Sequence, residues 1–572
     1  MITPTKPANR ISKDFVVCDI ENRSDGSVIS IQTFDGNAHI VHYDWSSWLA
    51  DITCKAKVNR KFRTVYAHNG GGWDWLSFIE WVIAKNPDQR FRTIEDGGKK
   101  IIAVRVPVGH KCTLKLVDSL RLLGCSLEKA SQTYLGIGKV ENGGKLPEWL
   151  WENQRETYWS YALRDTENLH KILCKFSDMV FTKIAPIGKL GLTLPSTALR
   201  CFTTGYLDRE VTIPEAQGVK DFLREGYVGG RVEVFKSGYF PRVKVYDFNS
   251  LYPSVMASTN VPTTGSVTHT TKCDIDRTGI FRVRFIQGDR SKLPLLLLGG
   301  LGAYAGAGVF FTNELRRLIR MAKGKIDVIE GFHFDNEAVL FKKYSETLYD
   351  LRKLDHNGPL GNTAKLLANS LYGKTAQRGG SNETGRFDVG EVTALINETD
   401  EKTGKPVYKV ETVNEEQGIY SVSRTKSPNF EHVGIAGTIT SESRARLWES
   451  FDSGTVYCDT DSIHTVNVAD NDRVTSLDFG KLKLEYDGEA VYVGKKMYAL
   501  RNKDTEKVRA KGIRVGGRNG FSLSFDSLRT LADGAIIPCT FKGASTASKV
   551  LRGKTACVFM EQTRRIRKTA NV

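Results

Sequence analysis

The feature that most narrows what this chain can become is Tyr457-Cys458-Asp459-Thr460-Asp461-Ser462. Thr455 and Val456 lead in and Ile463 and Val466 lead out, so the segment reads as strand, tight turn and strand, with carboxylates at i and i+2. Side chains two apart on a strand point the same way. Two carboxylates held together repel unless a cation sits between them, and oxygen-only ligands suit magnesium, which binds one or two carboxylates along with substrate phosphates. The stretch therefore predicts a phosphoryl-transfer centre. Taken alone, an acidic hairpin turn in solvent explains it equally well, so the rest of the chain must decide.

At 572 residues the chain is too long for one core and predicts roughly three or four domains or subdomains. Lys and Arg number 82 against 65 Asp and Glu, a formal charge of +17 spread along the chain. Such an excess points to a polyanion partner, because phosphate contacts release condensed counterions; acidic membranes are the competing partner. The ten cysteines form no Cys-x-x-Cys pair and follow no signal sequence, which fits reduced thiols in a cytoplasm rather than disulfides or zinc. Leu293 to Phe311 carries no charge over 19 residues. Its opening Leu-Pro and five glycines (Gly299, Gly300, Gly302, Gly306, Gly308) break it into strand, loop and strand rather than a membrane span. Gly-Lys-Thr occurs at 373–375 and 553–555, but Ala368 and Ser548 stand where a Walker loop needs its first glycine, so an ATP-driven motor is not expected.

Residues 1–12 are polar, and the first ordered element expected is Phe15 to Glu21. It repeats the acidic theme, an apolar strand ending in Asp19 and Glu21. Farther on, Asn69-Gly70-Gly71-Gly72-Trp73-Asp74 precedes the helical pattern of Trp75, Leu76, Phe78, Ile79 and Val82. Glycines let the backbone pass close to a ligand. Asp74 is either a ligand or the cap of that helix. Tyr161 and Asp165 share a helical face one turn apart. Asp19, Glu21, Asp74 and Asp165 can thus converge on two ions, with Tyr161 nearby to hold an attacking water.

Val243 to Asp247 reads as a strand ending in an acid, followed by Phe248-Asn249-Ser250-Leu251-Tyr252-Pro253, a turn with a proline suited to open a helix. In Asn362 to Gly373, Lys365, Asn369 and Tyr372 form a polar stripe beside the apolar face of Ala364, Leu367, Ala368 and Leu371, and Gly373 is expected to end the helix. A helix that offers a lysine, an amide and a phenol suits a nucleotide. Lys353, twelve residues before Lys365, is a candidate second phosphate contact, with Arg352 as its rival.

The set Asp-x-Glu, Asn-x3-aromatic-Asp and Tyr-x3-Asp resembles the three exonuclease motifs of family B DNA polymerases and related DnaQ-like nucleases. Asp247 to Pro253, Lys365 to Gly373 and Asp459 to Asp461 are similar to the family's three polymerase motifs. The resemblance implies that Asp19, Glu21, Asp74 and Asp165 bind metal, that Tyr161 orients water, and that Lys139, with Lys145 as rival, is the exonuclease-site lysine of protein-primed members. It implies that Asn69, Ser119 and Leu120 contact single-stranded DNA. Tyr227, Gly229 and Gly230 resemble the Tyr-x-Gly-Gly motif between the two halves, a tight turn able to approach a phosphate chain, and are carried over as DNA contacts. Lys496 and Tyr498 resemble the Lys-x-Tyr motif that holds a primer end. In the polymerase half Asp247 and Asp461 would bind metal with Asp459 supporting, Tyr252 would stand under the incoming sugar and exclude a 2′-hydroxyl, and Lys365, Asn369, Tyr372 and Lys353 would hold the dNTP. Ser250, Gly373 and Thr460 are carried over as DNA contacts.

The implied fold is α/β and α+β, multidomain: an RNase H-like 3′-5′ exonuclease domain (1–185), then a right-hand polymerase with palm (186–256 and 434–512), fingers (346–378) and thumb (513–572). Two insertions, 257–345 and 379–433, resemble the terminal-protein regions of protein-primed members, one docking the priming protein and one closing around DNA; a turn at Asp400 to Lys405 and a strand at Val407 to Val410 are expected in the second. The implied cofactors are two magnesium ions at each site, with manganese able to substitute. The implied partners are template and primer DNA, dNTPs, a terminal protein and a single-stranded-DNA-binding protein, acting on a monomer in the cytoplasm. An ordinary nucleic-acid primer and a non-catalytic DNA-binding scaffold are the competing readings, and seven intact acids argue against the second.

Overall fold

The computed structural model describes residues 1–58, 64–96, 100–108, 112–138, 147–378, 381–399, 406–424, 430–467, 478–511, 513, 523–543 and 560–566. Among them, the N-terminal part centres on a ten-stranded mixed sheet. The strand Val16–Asn22 lies antiparallel to Val28–Phe34 and parallel to Thr64–Ala67, which runs parallel in turn to Cys112–Asp118. Parallel neighbours need crossovers, and the helices Trp45–Val58 and Asp74–Lys85 lie in them. Val16, Val17 and Cys18 have no exposure, as expected of a strand covered on both faces. One face packs on Trp48, Trp75 and Phe78. The other packs on Leu169, Ile172, Leu173 and Phe176 of the helix Arg155–Met179. Trimming the fully buried Phe78 to alanine would cost roughly 3–5 kcal/mol.

Beyond Cys112–Asp118 the sheet continues through Lys100–Val108 and Phe91–Asp96, then takes up Ser381–Arg386, Ile419–Arg424 and Tyr408–Asn414 from far along the chain. Asn382 pairs with Thr93 and Thr384 with Phe91. Arg92 reaches Glu383 and Arg90 reaches Glu391, each at 2.8 Å. The strands between 381 and 424, within the stretch expected to be the second insertion, thus extend the N-terminal sheet. Its expected strand appears as Tyr408–Asn414, while the turn at 400–405 lies outside the described residues.

The Asp459-Thr460-Asp461 turn sits in a seven-stranded antiparallel sheet, in the order Glu506–Ala510, Met497–Arg501, Leu482–Gly494, Gly238–Phe248, Ser462–Thr465, Thr455–Asp459 and Val232–Val234. The helices Leu251–Ser258 and Val433–Glu449 carry many of the buried side chains of this half, among them Val255, Met256, Ile435 and Ile439. The helices Lys342–Leu354 and Pro359–Lys374 are joined by a short turn and pack on each other. Gly373 does not end the second of them, contrary to expectation. The helix runs through Lys374, and the Thr375 hydroxyl donates to the Tyr372 carbonyl at 2.8 Å.

The uncharged run 293–311 resolves into a hairpin, Leu297–Leu298 with Leu301–Gly302, and the strand Ala305–Phe311. Gly299 and Gly300, with φ of +58° and +81°, make the turn. No described helix is long and apolar enough to cross a membrane. The basic helix that follows, Thr312–Met321, spends its arginines on acids of this chain: Arg317 on Glu442 and Arg320 on Asp276, both at 2.7 Å. Of 513–572, the described elements are the helix Phe525–Ala532 and the pair of strands Ile537–Gly543 and Met560–Ile566.

Candidate active site

Sheet register brings Asp247 and Asp461 together. Asp247 lies opposite Ser462 on one neighbouring strand and opposite Lys483 on the other. Asp461 immediately precedes Ser462, and its carbonyl accepts from the Phe248 amide at 2.8 Å. Burial pushes the Asp247 carboxyl up to about 7, with Asp461 and then Glu485 adding to the rise. Asp461 is pushed up to about 6, again by burial first, with Asp459 and Glu485 contributing. Lys365 faces both acids from the helix above. Its ammonium is held below the usual lysine range by burial and then by the cations Arg352 and Lys483.

Thr460, between the two acids of the turn, has φ +65°, a genuine outlier for a β-branched residue. Its amide donates to the Arg231 carbonyl at 2.7 Å, and the Asp461 amide donates to the Asp459 carbonyl at 2.7 Å. Five described non-glycine residues have positive φ, and four of them, Asn69, Ser250, Thr460 and Lys496, are expected site residues. Strain of this kind persists where surrounding structure over-determines it, and it clusters at functional sites.

Asp459 is held rather than exposed to its neighbours' field alone. Lys496 Nζ donates to its two oxygens at 2.6 and 2.8 Å, and the hydroxyls of Thr460 and Tyr457 donate at 3.1 and 3.2 Å. Tyr498 packs beside Tyr457 at 5.1 Å. Tyr252 stacks on Tyr372 with ring centres 4.4 Å apart and planes 10° from parallel. Ser250, Arg352, Lys365 and Asn369 line one small cleft between sheet and helices. The Tyr227 to Gly230 turn is fixed from behind by Arg444, which donates to the Gly229 carbonyl at 2.8 Å and pairs with Glu314 at 2.7 Å, both side chains buried.

Lys353 is turned aside, with its ammonium 4.7 Å from the centre of the Tyr349 ring. Its rival Arg352 donates from Nη1 to Ser250 Oγ at 2.7 Å. Three residues beside this centre carry no motif in the sequence: Glu485, Lys483 and Arg352. The first two alternate with apolar residues on an ordinary strand, which is why only the fold reveals them.

In the N-terminal sheet, Asp19 and Glu21 share a strand, and Tyr161 and Asp165 share the helix packed across it. Burial, then Glu21, Asp19 and Asp165, push the Tyr161 phenol well above its usual value, which places the four groups together. Asp74 is not the helix cap: Trp73 holds that position without a side-chain bond, and Asp74 is only 3% exposed. Its carboxyl is pushed up to about 7 by burial and by Asp118, a buried acid with no prior role, itself raised by burial to about 6. Ser119 Oγ donates to the Ala67 carbonyl at 3.2 Å, and the Leu120 amide donates to Asp118 at 3.0 Å. Lys139 and Lys145 lie outside the described residues.

Among the described residues, no three His, Cys, Asp or Glu side chains are arranged to hold a metal unaided. The donors nevertheless suit divalent cations. Magnesium keeps several waters and takes one or two carboxylates with substrate phosphates. Asp247 and Asp461 are crowded acids of that kind, and Asp74 Oδ1 is buried without a hydrogen-bond partner.

A cleft of about 780 Å³ opens between the N-terminal sheet and the end of the Pro359–Lys374 helix. Arg105, Lys115, Lys189, Arg200, Lys374 and Arg378 line it, against Asp14 and Glu95.

The site is thus an acidic pair on an antiparallel sheet, faced by a lysine-bearing helix and preceded by a mixed sheet with its own acids. Residues 150–465 match the family described as DNA polymerase type B, organellar and viral, and the chain belongs to that family. It is 25% identical to a probable DNA polymerase of Neurospora intermedia over 552 residues, covering 82% of this chain and 56% of that protein. It is 25% identical to the DNA-directed DNA polymerase of Enterobacteria phage PRD1 over 475 residues, 81% of this chain and 78% of that one. The chain thus spans little more than half of the Neurospora relative. Phi29 DNA polymerase complexed with single-stranded DNA superposes with a TM-score of 0.69 at 17% identity, covering 97% of this chain and all of that one. The phi29 complex with primer-template DNA and incoming nucleotide gives 0.67 at 16%, covering 97% and 99%. The expected multidomain fold is therefore the one observed.

Proposed function

We propose that the protein is a replicative DNA-directed DNA polymerase that starts chains on a hydroxyl of a separate terminal protein, displaces the non-template strand and proofreads with a 3′-5′ exonuclease. The observation that carries the polymerase reading is the placement of Asp461 beside Asp247, with Lys365 facing both. Asp247 and Asp461 would hold two magnesium ions, or manganese in their place, and Asp459 would support them. When bound, such ions assist the primer 3′-hydroxyl and stabilise charge on the transferring phosphoryl group. Lys365 reaches for triphosphate oxygens, Asn369 and Tyr372 flank the base pair, Tyr252 stands under the sugar, and Lys496 and Tyr498 hold the primer end. Lys365, partly buried beside other cations, binds a polyanion more readily than it stays solvated.

In the N-terminal half, Asp19, Glu21, Asp74 and Asp165 would hold the exonuclease ions. Tyr161, kept protonated by burial and by its acidic neighbours, donates to the attacking water. Asn69, Ser119 and Leu120 receive the frayed strand, and Lys139 completes the site. The basic cleft offers a route for single-stranded template between the halves. The priming protein, the single-stranded-DNA-binding protein, the domain limits given above, the monomeric state and the cytoplasmic setting belong to this proposal.

The test is primer extension on a circular single-stranded template, with and without dNTPs. Products longer than one template round with dNTPs, and shortening of the primer without them, support polymerase, displacement and exonuclease together. No extension overturns the polymerase reading. Transfer of a deoxynucleotide to a candidate terminal protein separates protein priming from an ordinary primer.

A further inference from the structure

Gly229 and Gly230 sit side by side in the Tyr227 to Arg231 turn, yet their surroundings differ completely. A Cβ built on Gly229 meets nothing within 4 Å. One built on Gly230 comes within 2.8 Å of the Tyr252 hydroxyl oxygen and 2.8 Å of Thr460 Cγ2, closer than real Cβ atoms approach. Neither glycine has a positive φ, so the backbone itself accepts alanine at both positions. What Gly230 supplies is space.

That space belongs to two site residues. Tyr252 is 7% exposed and stacked on Tyr372, so its ring is held and its hydroxyl reaches the turn. Thr460 is pinned by the bond from its amide to the Arg231 carbonyl. The turn is pinned too, by Arg444 on the Gly229 carbonyl. With the turn and the Thr460 backbone fixed, a methyl group at 230 must displace the Tyr252 hydroxyl, the Thr460 methyl or both.

We infer that Gly230 is a positioning residue for sugar selection: by lacking a side chain it lets the Tyr252 hydroxyl close against the Gly230–Thr460 surface, which sets the tyrosine ring where an incoming ribose would bring its 2′-hydroxyl. The inference rests on the polymerase reading and on Tyr252 standing under the sugar. In this role Gly230 acts through Tyr252.

The test is the ratio of dNTP to rNTP insertion efficiency, measured in single-nucleotide primer extension with the full chain. Tyr252→Val first checks the underlying reading, and an unchanged ratio there overturns the role given to Tyr252. Gly230→Ala lowers the ratio by about tenfold, the effect of one misplaced group in a steric pocket. Gly229→Ala leaves the ratio alone, because any cost to DNA binding affects both nucleotides and divides out. In a Tyr252→Phe background the clashing oxygen is gone, so adding Gly230→Ala changes the ratio less than about twofold. If Tyr252→Val relaxes selection and Gly230→Ala does not, or if both alanine substitutions act alike, the inference fails while the polymerase reading stands. Wild-type melting behaviour in Gly230→Ala excludes global unfolding; a variant that does not fold would mean that the turn needs Gly230 for more than the Tyr252 hydroxyl, and the inference would fail.

Discussion

Lys496 donates from Nζ to both carboxylate oxygens of Asp459, at 2.6 and 2.8 Å. The lysine is held in the left-handed region, with φ +56°, so its backbone is strained to deliver the ammonium there. Removing it leaves Asp459 without its ion-pair partner beside Asp461 and, in the proposed role, takes a cation from the primer end. Lys496→Ala is expected to slow primer extension by about a hundredfold, the scale of a misplaced reacting group. The ratio of extension to primer degradation in one reaction measures it, and equal losses in both activities would contradict the placement.

The two acid groups lie in separate sheets and should fail separately. Asp461→Ala abolishes nucleotide addition and leaves single-strand degradation intact. Asp19→Ala does the reverse. Gel assays on the same DNA, run with and without dNTPs, check both.

Asp247, Asp461 and Asp74 are raised to about 7, 6 and 7 in the folded chain. A carboxyl raised on folding binds more protons native than unfolded, so its contribution to stability is present at low pH and lost as pH rises from the ordinary carboxylate range toward 7. Divalent cations bind the deprotonated form and offset the loss. The gain in melting temperature on adding magnesium should therefore be larger at pH 8 than at pH 6. A gain independent of pH would mean that the cation binds elsewhere.

Arg352 and Lys353 are adjacent in sequence and opposite in direction, one on Ser250 and one over Tyr349. Arg352→Ala is expected to raise the KM for dNTP about tenfold, a loss of roughly 1.4 kcal/mol, whereas Lys353→Ala changes it little. Steady-state single-nucleotide insertion decides between them.

Much of this was legible in the sequence because the chemistry there is local. Asp459-Thr460-Asp461, Asp19-Ile20-Glu21 and the Lys365 helix each carry their spacing within a few residues, and the structure brings the acids together. Asp74 read equally well as a cap, because burial is not visible in a six-residue motif. Glu485 and Asp118 were missed because what sets them apart is register with distant strands. Gly373 misled because a terminal glycine signals an end only when a left-handed turn follows, and here Thr375 closes the helix instead. The pairing of 381–386 with 91–96 has no local signature at all.

That pairing has a mechanical consequence. Hydrogen bonds run without a break from the outer hairpin at 408–424, through the strand at 381–386, to the strand bearing Asp19 and Glu21. The outlying arm and the strand that carries Asp19 and Glu21 are one stiff plank, so a load on the arm's tip is felt at those two acids.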